Sequence, residues 1–407
     1  MSSFDAEVII VGGGLAGNTL AALLASKGVQ CIVIEAGEQI KNQKSEHSDP
    51  RALAITHASR RILESIGVWQ QLPAEKVGRF SAMHVWDENG QGEIEFDSGE
   101  ICQPSIGNII EQSVLQASLE QVVDNMPGIT VHNQLRLRDL EWQEDSISAV
   151  LDDDQKLSAQ LIVAADGVQS ESRRLAGINN KVHDYQQVAL ACIVTTALPH
   201  ENIARQRFLT NGPLAFLPMH NAFQCGIVWS STPEQAEELM QMPPTEFNRA
   251  LQRAFEQTLG EVLESEGRAC FPLRRAQAEQ YCKTRFALVG DAAHSVHPLA
   301  GQGANLSLLD VASLAQLVLQ AKQSKRDIAS TRVLRDYERW RKLENLTMMM
   351  TLESFKYSFE NQNSPMPILR NTALDFANSI IPLKNTIMRH AMGLAGDLPE
   401  LAKTSLV

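Results

Sequence analysis

Glu7-Val8-Ile9-Ile10-Val11-Gly12-Gly13-Gly14-Leu15-Ala16-Gly17 is the stretch that decides the fold of this chain. Its apolar, β-branched residues read as a buried strand that runs straight into glycines at the G-x-G-x-x-G spacing: Gly12, Gly14 and Gly17. In such a turn the first glycine permits the sharp bend, the second lets a pyrophosphate approach the backbone, and the third lets the helix pack on the strand. A helix follows through Leu20, Leu23 and Leu24, closed by Lys27-Gly28, and the next strand, Cys31-Ile32-Val33-Ile34, ends at Glu35. That acid stands where the ribose hydroxyls of a dinucleotide need an acceptor. Its charge also disfavours a 2′-phosphate at the same place.

Two further strand ends carry a carboxylate and a glycine. Leu161-Ile162-Val163-Ala164-Ala165 leads into Asp166-Gly167, with Ser170 and Arg173 following at the spacing D-G-x-x-S-x-x-R. Arg285-Phe286-Ala287-Leu288-Val289 leads into Gly290-Asp291-Ala292-Ala293-His294, then Pro298, then Gly301-Gln302-Gly303-Ala304-Asn305, with Ser307-Leu308-Leu309-Asp310 opening a helical pattern. A glycine-rich loop before a helix offers bare N–H groups and partial positive charge to an anionic or electron-rich ligand. Taken singly, each Asp could be a strand-end turn with a capped helix behind it. Three such ends in one chain make that reading insufficient for all of them.

In this order, the three motifs resemble those of the group A FAD-dependent monooxygenases, and other segments narrow the resemblance to their ubiquinone-biosynthesis hydroxylase branch. These are Asp49-Pro50-Arg51-Ala52-Leu53-Ala54, Ile110-Glu111-Gln112-Ser113-Val114-Leu115, Gly212-Pro213-Leu214-Ala215-Phe216-Leu217-Pro218, Tyr337-Glu338-Arg339-Trp340-Arg341-Lys342 and Met388-Arg389-His390-Ala391-Met392-Gly393-Leu394. Gln112 departs from the pattern, which has Asn after the Glu. The resemblance implies an α/β protein of the p-hydroxybenzoate-hydroxylase type, with a Rossmann-type FAD-binding domain interleaved with a β-sheet substrate domain, plus a C-terminal helical tail. It implies FAD held by Gly12, Gly14, Gly17, Glu35, Arg51, Gln112, Asp166, Asp291, Gly301, Gln302, Gly303 and Asn305. It also implies a hydroxylase that places one oxygen of O2, activated at flavin C4a, on a polyprenylated phenol or benzoquinol precursor of ubiquinone. The chain has no second G-x-G-x-x-G, as the resemblance implies for an NAD(P)H that visits the same cleft transiently, and the sequence leaves NADPH, NADH and a partner protein open as the reductant.

The domain reading is interleaved: 1–75, 105–180 and 283–320 for FAD, 76–104 and 181–282 for a β-rich substrate domain, and 321–407 for a helical region. Strands are expected at Val188–Thr196, Leu214–Met219 and Phe223–Trp229, at Cys270-Phe271-Pro272-Leu273, and within Phe80–Phe96, with helix across Glu234–Leu263. The apolar residues Leu214, Phe216 and Phe223, with Val228 beside them and Pro298 after the Asp291 turn, are the expected substrate pocket. They are equally what a buried sheet would carry. No residue must act as catalytic base. His294 is the one to consider, although a His at a strand-to-loop junction is more often structural, and nothing near His57 or His84 marks them out.

A net charge of −12 over 407 residues argues against a nucleic-acid partner. Six scattered Cys without a C-x-x-C pair point to reduced thiols, to no metal site and to a cytoplasmic protein. The N-terminus reads as no signal peptide, and no apolar run approaches the ~20 residues that span a bilayer. The tail from 335 to 407 has nine Lys/Arg and eight Asp/Glu, so the negative charge lies elsewhere. Within it Met348, Leu352, Phe355 and Phe359, then Leu369, Ala373, Phe376 and Ile380, recur at amphipathic helical spacing. Such helices pack on the nucleotide domain, or, with Lys384 and Arg389, face a membrane surface or another quinone-biosynthesis protein. Two rival functions remain open at this stage: a flavin-dependent isoprenoid reductase or dehydrogenase without oxygen insertion, and a non-catalytic FAD-bearing subunit of a biosynthetic complex.

Overall fold

The computed structural model describes residues 4–39, 50–88, 93–296, 301–360, 385, 388–390 and 392–403. In chain order the first unit is β1 (Ala6–Val11), α1 (Leu15–Ala25) and β2 (Cys31–Glu35). There follow β3 (Ala52–Ile55), α2 (His57–Ser65), α3 (Val68–Gln71), β4 (Val77–Phe80), β5 (Ala82–Asp87), β6 (Glu93–Asp97) and β7 (Gly107–Glu111). After α4 (Gln112–Asn125) come β8 (Ile129–Asn133), β9 (Leu137–Trp142), β10 (Ile147–Leu151), β11 (Lys156–Ala164) and α5 (Glu171–Leu175). The middle of the chain is β12 (Asn180–Thr196), β13 (Ile203–Leu209), β14 (Gly212–Pro218), β15 (Gln224–Ser231), α6 (Pro233–Gln241), α7 (Pro244–Ala254) and β16 (Val262–Ala278). It closes with β17 (Cys282–Lys283), β18 (Phe286–Leu288), β19 (His294–Ser295), α8 (Gln302–Gln323) and α9 (Thr331–Glu360).

These strands make three sheets. The first has the order β17-β18-β11-β1-β2-β8, with β10 and β9 extending from β11. Its central pairs, β18 with β11, β11 with β1, β1 with β2 and β2 with β8, are all parallel. Covered on its faces, this sheet has strands that read as continuous apolar runs, and Val8, Ile9 and Ile10 are fully buried. The second sheet, β19-β16-β12-β15-β14-β13-β5-β6, is the roof. A third, β3-β7-β4, lies between them: an added Cβ on Gly226 of the roof would come within 2.6 Å of the Ala52 Cβ.

The roof strands place alternate side chains on opposite faces. Leu190, Leu214, Phe216, Ile227 and Trp229 form a core with Leu239, Phe247, Leu251 and Phe255 from the α6–α7 region, and the Phe216 and Phe255 rings stack with centroids 3.7 Å apart. Strand β12 starts well before the apolar run at Val188. Its first residues pair with the end of β16 but are largely exposed, so they carry no apolar pattern to read. Within Glu234–Leu263, two helices occupy 233–254, and β16 already begins at Val262.

Helix α8 is the one helix among the described residues long and apolar enough to cross a membrane, but it is a core helix with 67% of its apolar window buried. It packs against α1, α2 and α9. Helix α9 includes Met348, and its backbone continues through 352, 355 and 359. The second apolar set, Leu369 to Ile380, and Lys384 lie outside the described residues. Arg389 is exposed, whereas Met388 and Met392 pack with Ile101.

Truncating Phe216→Ala removes its stack on Phe255 from a sealed core. Urea unfolding is expected to show a loss of about 3–5 kcal/mol.

Candidate functional site

The ends of β1, β2, β11 and β18 meet along the carboxyl edge of the parallel sheet, where ligands of open α/β sheets bind. The three glycines after β1 do different work there. Gly12 has φ +107°, and a Cβ on it would sit 2.4 Å from the Ala165 carbonyl oxygen, while a Cβ on Gly17 would sit 1.9 Å from that of Gly12. Both are close-packing glycines. Gly14, in contrast, is exposed, and an added Cβ would meet nothing within 4 Å. It caps α1 with no side-chain hydrogen bond, and the first turn of α1 has no acidic residue, so its N–H groups stay free for an anion.

Glu35 is fixed by two backbone donors: Gly13 N–H to Oε2 at 2.6 Å and Gly37 N–H to Oε1 at 2.7 Å. The carboxylate keeps lone pairs for ribose hydroxyls. The Gly13 carbonyl accepts from Asn18 Nδ2 at 2.6 Å and from Gln116 Nε2 at 2.8 Å, which locks the turn. Sequence reading missed both amides. Their only signal was a polar residue at a buried position of an otherwise apolar helix face.

Asp166 and Arg173 brace the loops. The Asp166 carboxylate accepts from Ser170 Oγ at 2.5 Å and from Ser172 N and Oγ at 2.9 and 2.8 Å, at the start of α5. Arg173 donates to the carbonyls of Ala292 at 2.7 Å and Val168 at 3.1 Å, tying this loop to the Asp291 turn. Arg51 and Gln112 are brought together because β3 pairs with β7, and Gln112 N–H donates to the Arg51 carbonyl at 2.9 Å. The Arg51 guanidinium stands 4.7 Å over the Phe271 ring of the roof.

Asp291 is open to solvent yet hemmed in by protein. The surrounding protein raises its carboxyl above the usual range, with His294 and Arg51 pulling it down and Asp310 adding to the rise. Asp291 stands at the carboxyl edge of the parallel sheet, directly after β18 and before α8. Gly290, at φ +58°, fits against Ser307, whose Oγ would lie 2.9 Å from an added Cβ. Helix α8 begins at Gln302, five residues before the expected Ser307, because Gly301 (φ +62°) supplies a left-handed cap. Its first turn therefore contains Gly303, Ala304 and Asn305, with no acidic residue and no side-chain cap. Asn305 is spent on structure: Nδ2 donates to the Ala54 and Gly301 carbonyls at 2.7 and 3.1 Å, and Oδ1 accepts from Thr56 N–H at 3.0 Å. That amide staples β3 to the head of α8.

Beneath the turn lies a buried ionic cluster. Asp310 is inaccessible; its Oδ2 accepts from His294 Nε2 at 2.5 Å and Gly290 N–H at 3.1 Å. Its Oδ1 accepts from Arg341 Nε at 2.9 Å and Asn345 Nδ2 at 3.0 Å. Burial alone would raise this carboxyl, but His294, Arg341 and Asn345 overcome it and bring it down to about 2. His294 thus has its Nε2 committed inside the protein, with its ring stacked on Tyr281 at 5.9 Å, rather than facing a substrate. Asp310 was read as one residue of a helix pattern and Arg341 as part of a motif. Only their meeting shows the role.

The expected pocket needs correction. Leu214 and Phe216 point to the α6–α7 side of the roof and are sealed in its core, while Phe223 is an exposed turn residue outside the strands. Pro298 lies outside the described residues. Alternation puts Ala215, Leu217 and Val228 on the other face, towards β3, and all three are half-buried. The surface opposite the cleft is therefore made of these smaller side chains.

The FAD binding domain family matches residues 5–349 of the chain. Ubiquinone hydroxylase UbiL of Rhodospirillum rubrum is 34% identical over 395 residues, covering 97% of this chain and 91% of that protein. The 3-demethoxyubiquinol 3-hydroxylase of Escherichia coli is 32% identical over 394 residues, covering 97% and 100%. The mitochondrial ubiquinone biosynthesis monooxygenase COQ6 of Danio rerio is 31% identical over 433 residues, covering 95% and 89%. Among solved structures, the p-nitrophenol 4-monooxygenase PnpA of Pseudomonas putida DLL-E4 shares the fold with a TM-score of 0.77 at 18% identity, covering 96% of this chain and 99% of that one.

The glycines separate packing from binding. Gly14→Ala is expected to leave the melting temperature unchanged and weaken FAD binding at least tenfold by fluorescence titration, whereas Gly17→Ala should fail to give soluble protein. Asp310→Asn leaves Arg341 buried beside a neutral group, and urea unfolding should show a loss of about 3–5 kcal/mol. The Asp310 carboxyl is depressed in the fold, so its stabilisation is complete above its unfolded value of about 4 and is lost as pH falls towards 2. The difference in stability between wild type and Asp310→Asn should therefore shrink as pH falls below about 4.

Proposed function

This chain belongs to the FAD-binding domain family, and from that premise we propose that it is an FAD-dependent aromatic-ring hydroxylase. Its substrate is a polyprenylated phenol or benzoquinol precursor of ubiquinone, into which it inserts one oxygen of O2. The observation that carries the reading is the cleft itself. Its floor is the Asp291 turn and the uncapped head of α8, and above lies a half-buried roof face of Ala215, Leu217 and Val228. The ubiquinone-biosynthesis hydroxylases and monooxygenase that align with nearly the whole chain support the substrate class.

The residues fit FAD: space is kept at Gly14, a fixed acid stands at the end of β2, and two helix heads lack side-chain caps. Bound FAD supplies two-electron chemistry, taking electrons from NAD(P)H and activating O2 for attack on an electron-rich ring. The protein's part is to bind, orient and exclude water. Gly14 and the head of α1 would receive the pyrophosphate, Glu35 the ribose hydroxyls, and Asp291 a hydroxyl of the flavin side chain. Arg51 and Gln112, held together by β3 and β7, would steady the middle of the cofactor, with Asp166 and Arg173 bracing the loop beside it. The backbone of Gly301, Gln302 and Gly303, at the head of α8, would face the pyrimidine edge, where the partial positive charge of the helix end favours the reduced ring. The roof face would hold the substrate ring dry against it.

The test is turnover of a prenylated phenol under ¹⁸O₂ with NADPH or NADH. One labelled oxygen per product is expected. Reduced-bond or dehydrogenated product without label would replace the reading with a reductase or dehydrogenase. Flavin binding without turnover of any prenylated ring would leave a structural subunit.

A further inference from the structure

A cavity separate from the cleft lies at the outer edge of the parallel sheet. Its volume is about 670 Å³, within the range of roughly 300–1,000 Å³ that small-molecule sites occupy, and it is half open to solvent. Trp142 at the end of β9, Lys283 of the edge strand β17, and Thr331, Arg335 and Glu338 on the first turns of α9 form its walls. The turn at Thr284 leads from here into β18, whereas Asp291 follows the other end of that strand. Cavity and cofactor cleft are therefore reached from opposite ends of β18.

The charges on these walls do not cancel. Glu338 is spent within the protein: Oε1 accepts from the Tyr281 N–H at 3.0 Å and faces Lys342 Nζ at 3.6 Å, while Oε2 accepts from the Cys282 thiol at 3.3 Å. Lys283 Nζ donates to the Ala176 and Gly177 carbonyls at 2.5 and 3.2 Å, just past α5, and Arg335 is exposed. Among the described residues neither cation has a carboxylate partner, and the acids on neighbouring turns, Asp145 and Asp327, are both held by Arg285, at 3.7 and 2.9 Å. Two uncompensated cations thus face one cavity in a chain of net charge −12. The N-terminal end of the 30-residue α9 adds partial positive charge to them. Trp142 supplies a different feature: it is the one exposed residue, at 39%, among the five tryptophans. Its Nε1–H donates to the Thr284 carbonyl at 2.9 Å and its ring leans on Phe286 with centroids 6.5 Å apart, which fixes its orientation. A fixed aromatic face left in water is a platform for a flat ring.

We propose that this cavity binds a nucleoside monophosphate, with the base on Trp142 and the phosphate between Lys283 and Arg335. A phosphate monoester carries close to two negative charges at neutral pH and so matches two cations, whereas a carboxylate would leave one of them unmatched. The Arg335 guanidinium can meet two phosphate oxygens with parallel N–H donors, and the Thr331 hydroxyl adds a third donor. The site is independent of the hydroxylase reading, since none of its residues belongs to the cofactor cleft.

Calorimetric titration of the FAD-loaded protein with adenosine 5′-monophosphate tests the site, and the bound FAD keeps the probe away from Gly14 and Glu35. Saturable binding is expected, with adenosine, inorganic phosphate and benzoate each about tenfold weaker or more, because each lacks the ring or the full charge. Arg335→Gln and Trp142→Leu should each weaken the mononucleotide about tenfold with FAD content unchanged. Arg335 is exposed, so its variant reports on the site even if the tryptophan variant does not fold. Absence of saturable binding, an affinity unchanged in Arg335→Gln, or inorganic phosphate or adenosine binding as tightly as the mononucleotide would overturn the proposal. Product without label under ¹⁸O₂ would remove the hydroxylase reading and leave this site standing.

Discussion

A single buried carboxylate organises the region on which the cleft depends. Asp310, on the core helix α8, takes hydrogen bonds from the Gly290 backbone, from His294, and from Arg341 and Asn345 of α9. An unpaired charge in this interior would be intolerable, so the four groups must assemble together or not at all. Their assembly sets the position of the strand end before Asp291, the helix behind it and the long helix that backs both. Coupling through one anion makes the turn rigid without placing any catalytic group in it.

The cleft follows from topology. Parallel pairing brings the ends of β1, β2, β11 and β18 to one edge, so residues more than 250 positions apart in the chain share it. The loops are then cross-tied: Arg173 reaches the Ala292 carbonyl, and Asn305 ties α8 to β3. Several residues expected at the cofactor, Asp166 and Asn305 in particular, have their side chains occupied by these ties. Such residues act on a ligand through the shape of the loop.

The roof shows where a sequence pattern stops short. Period-2 alternation in Gly212–Pro218 establishes that Leu214 and Phe216 share a face and Ala215 and Leu217 the other. Which face meets the cleft depends on where α6 and α7 pack, and the chain's largest side chains went to the helices.

The sequence by itself determined the nucleotide fold and the identity of its strand ends. That information is local: β-branched runs, glycines that no side chain could replace at Gly12 and Gly17, and an acid at a fixed distance after them. Only the tertiary structure decided which polar residues are spent on the protein and which are left for a ligand. Asp310, Arg341, Asn18 and Gln116 are each unremarkable in their own segments. Burial and long-range pairing create their electrostatic consequences, because the cost of an uncompensated polar group exists only once water has been excluded.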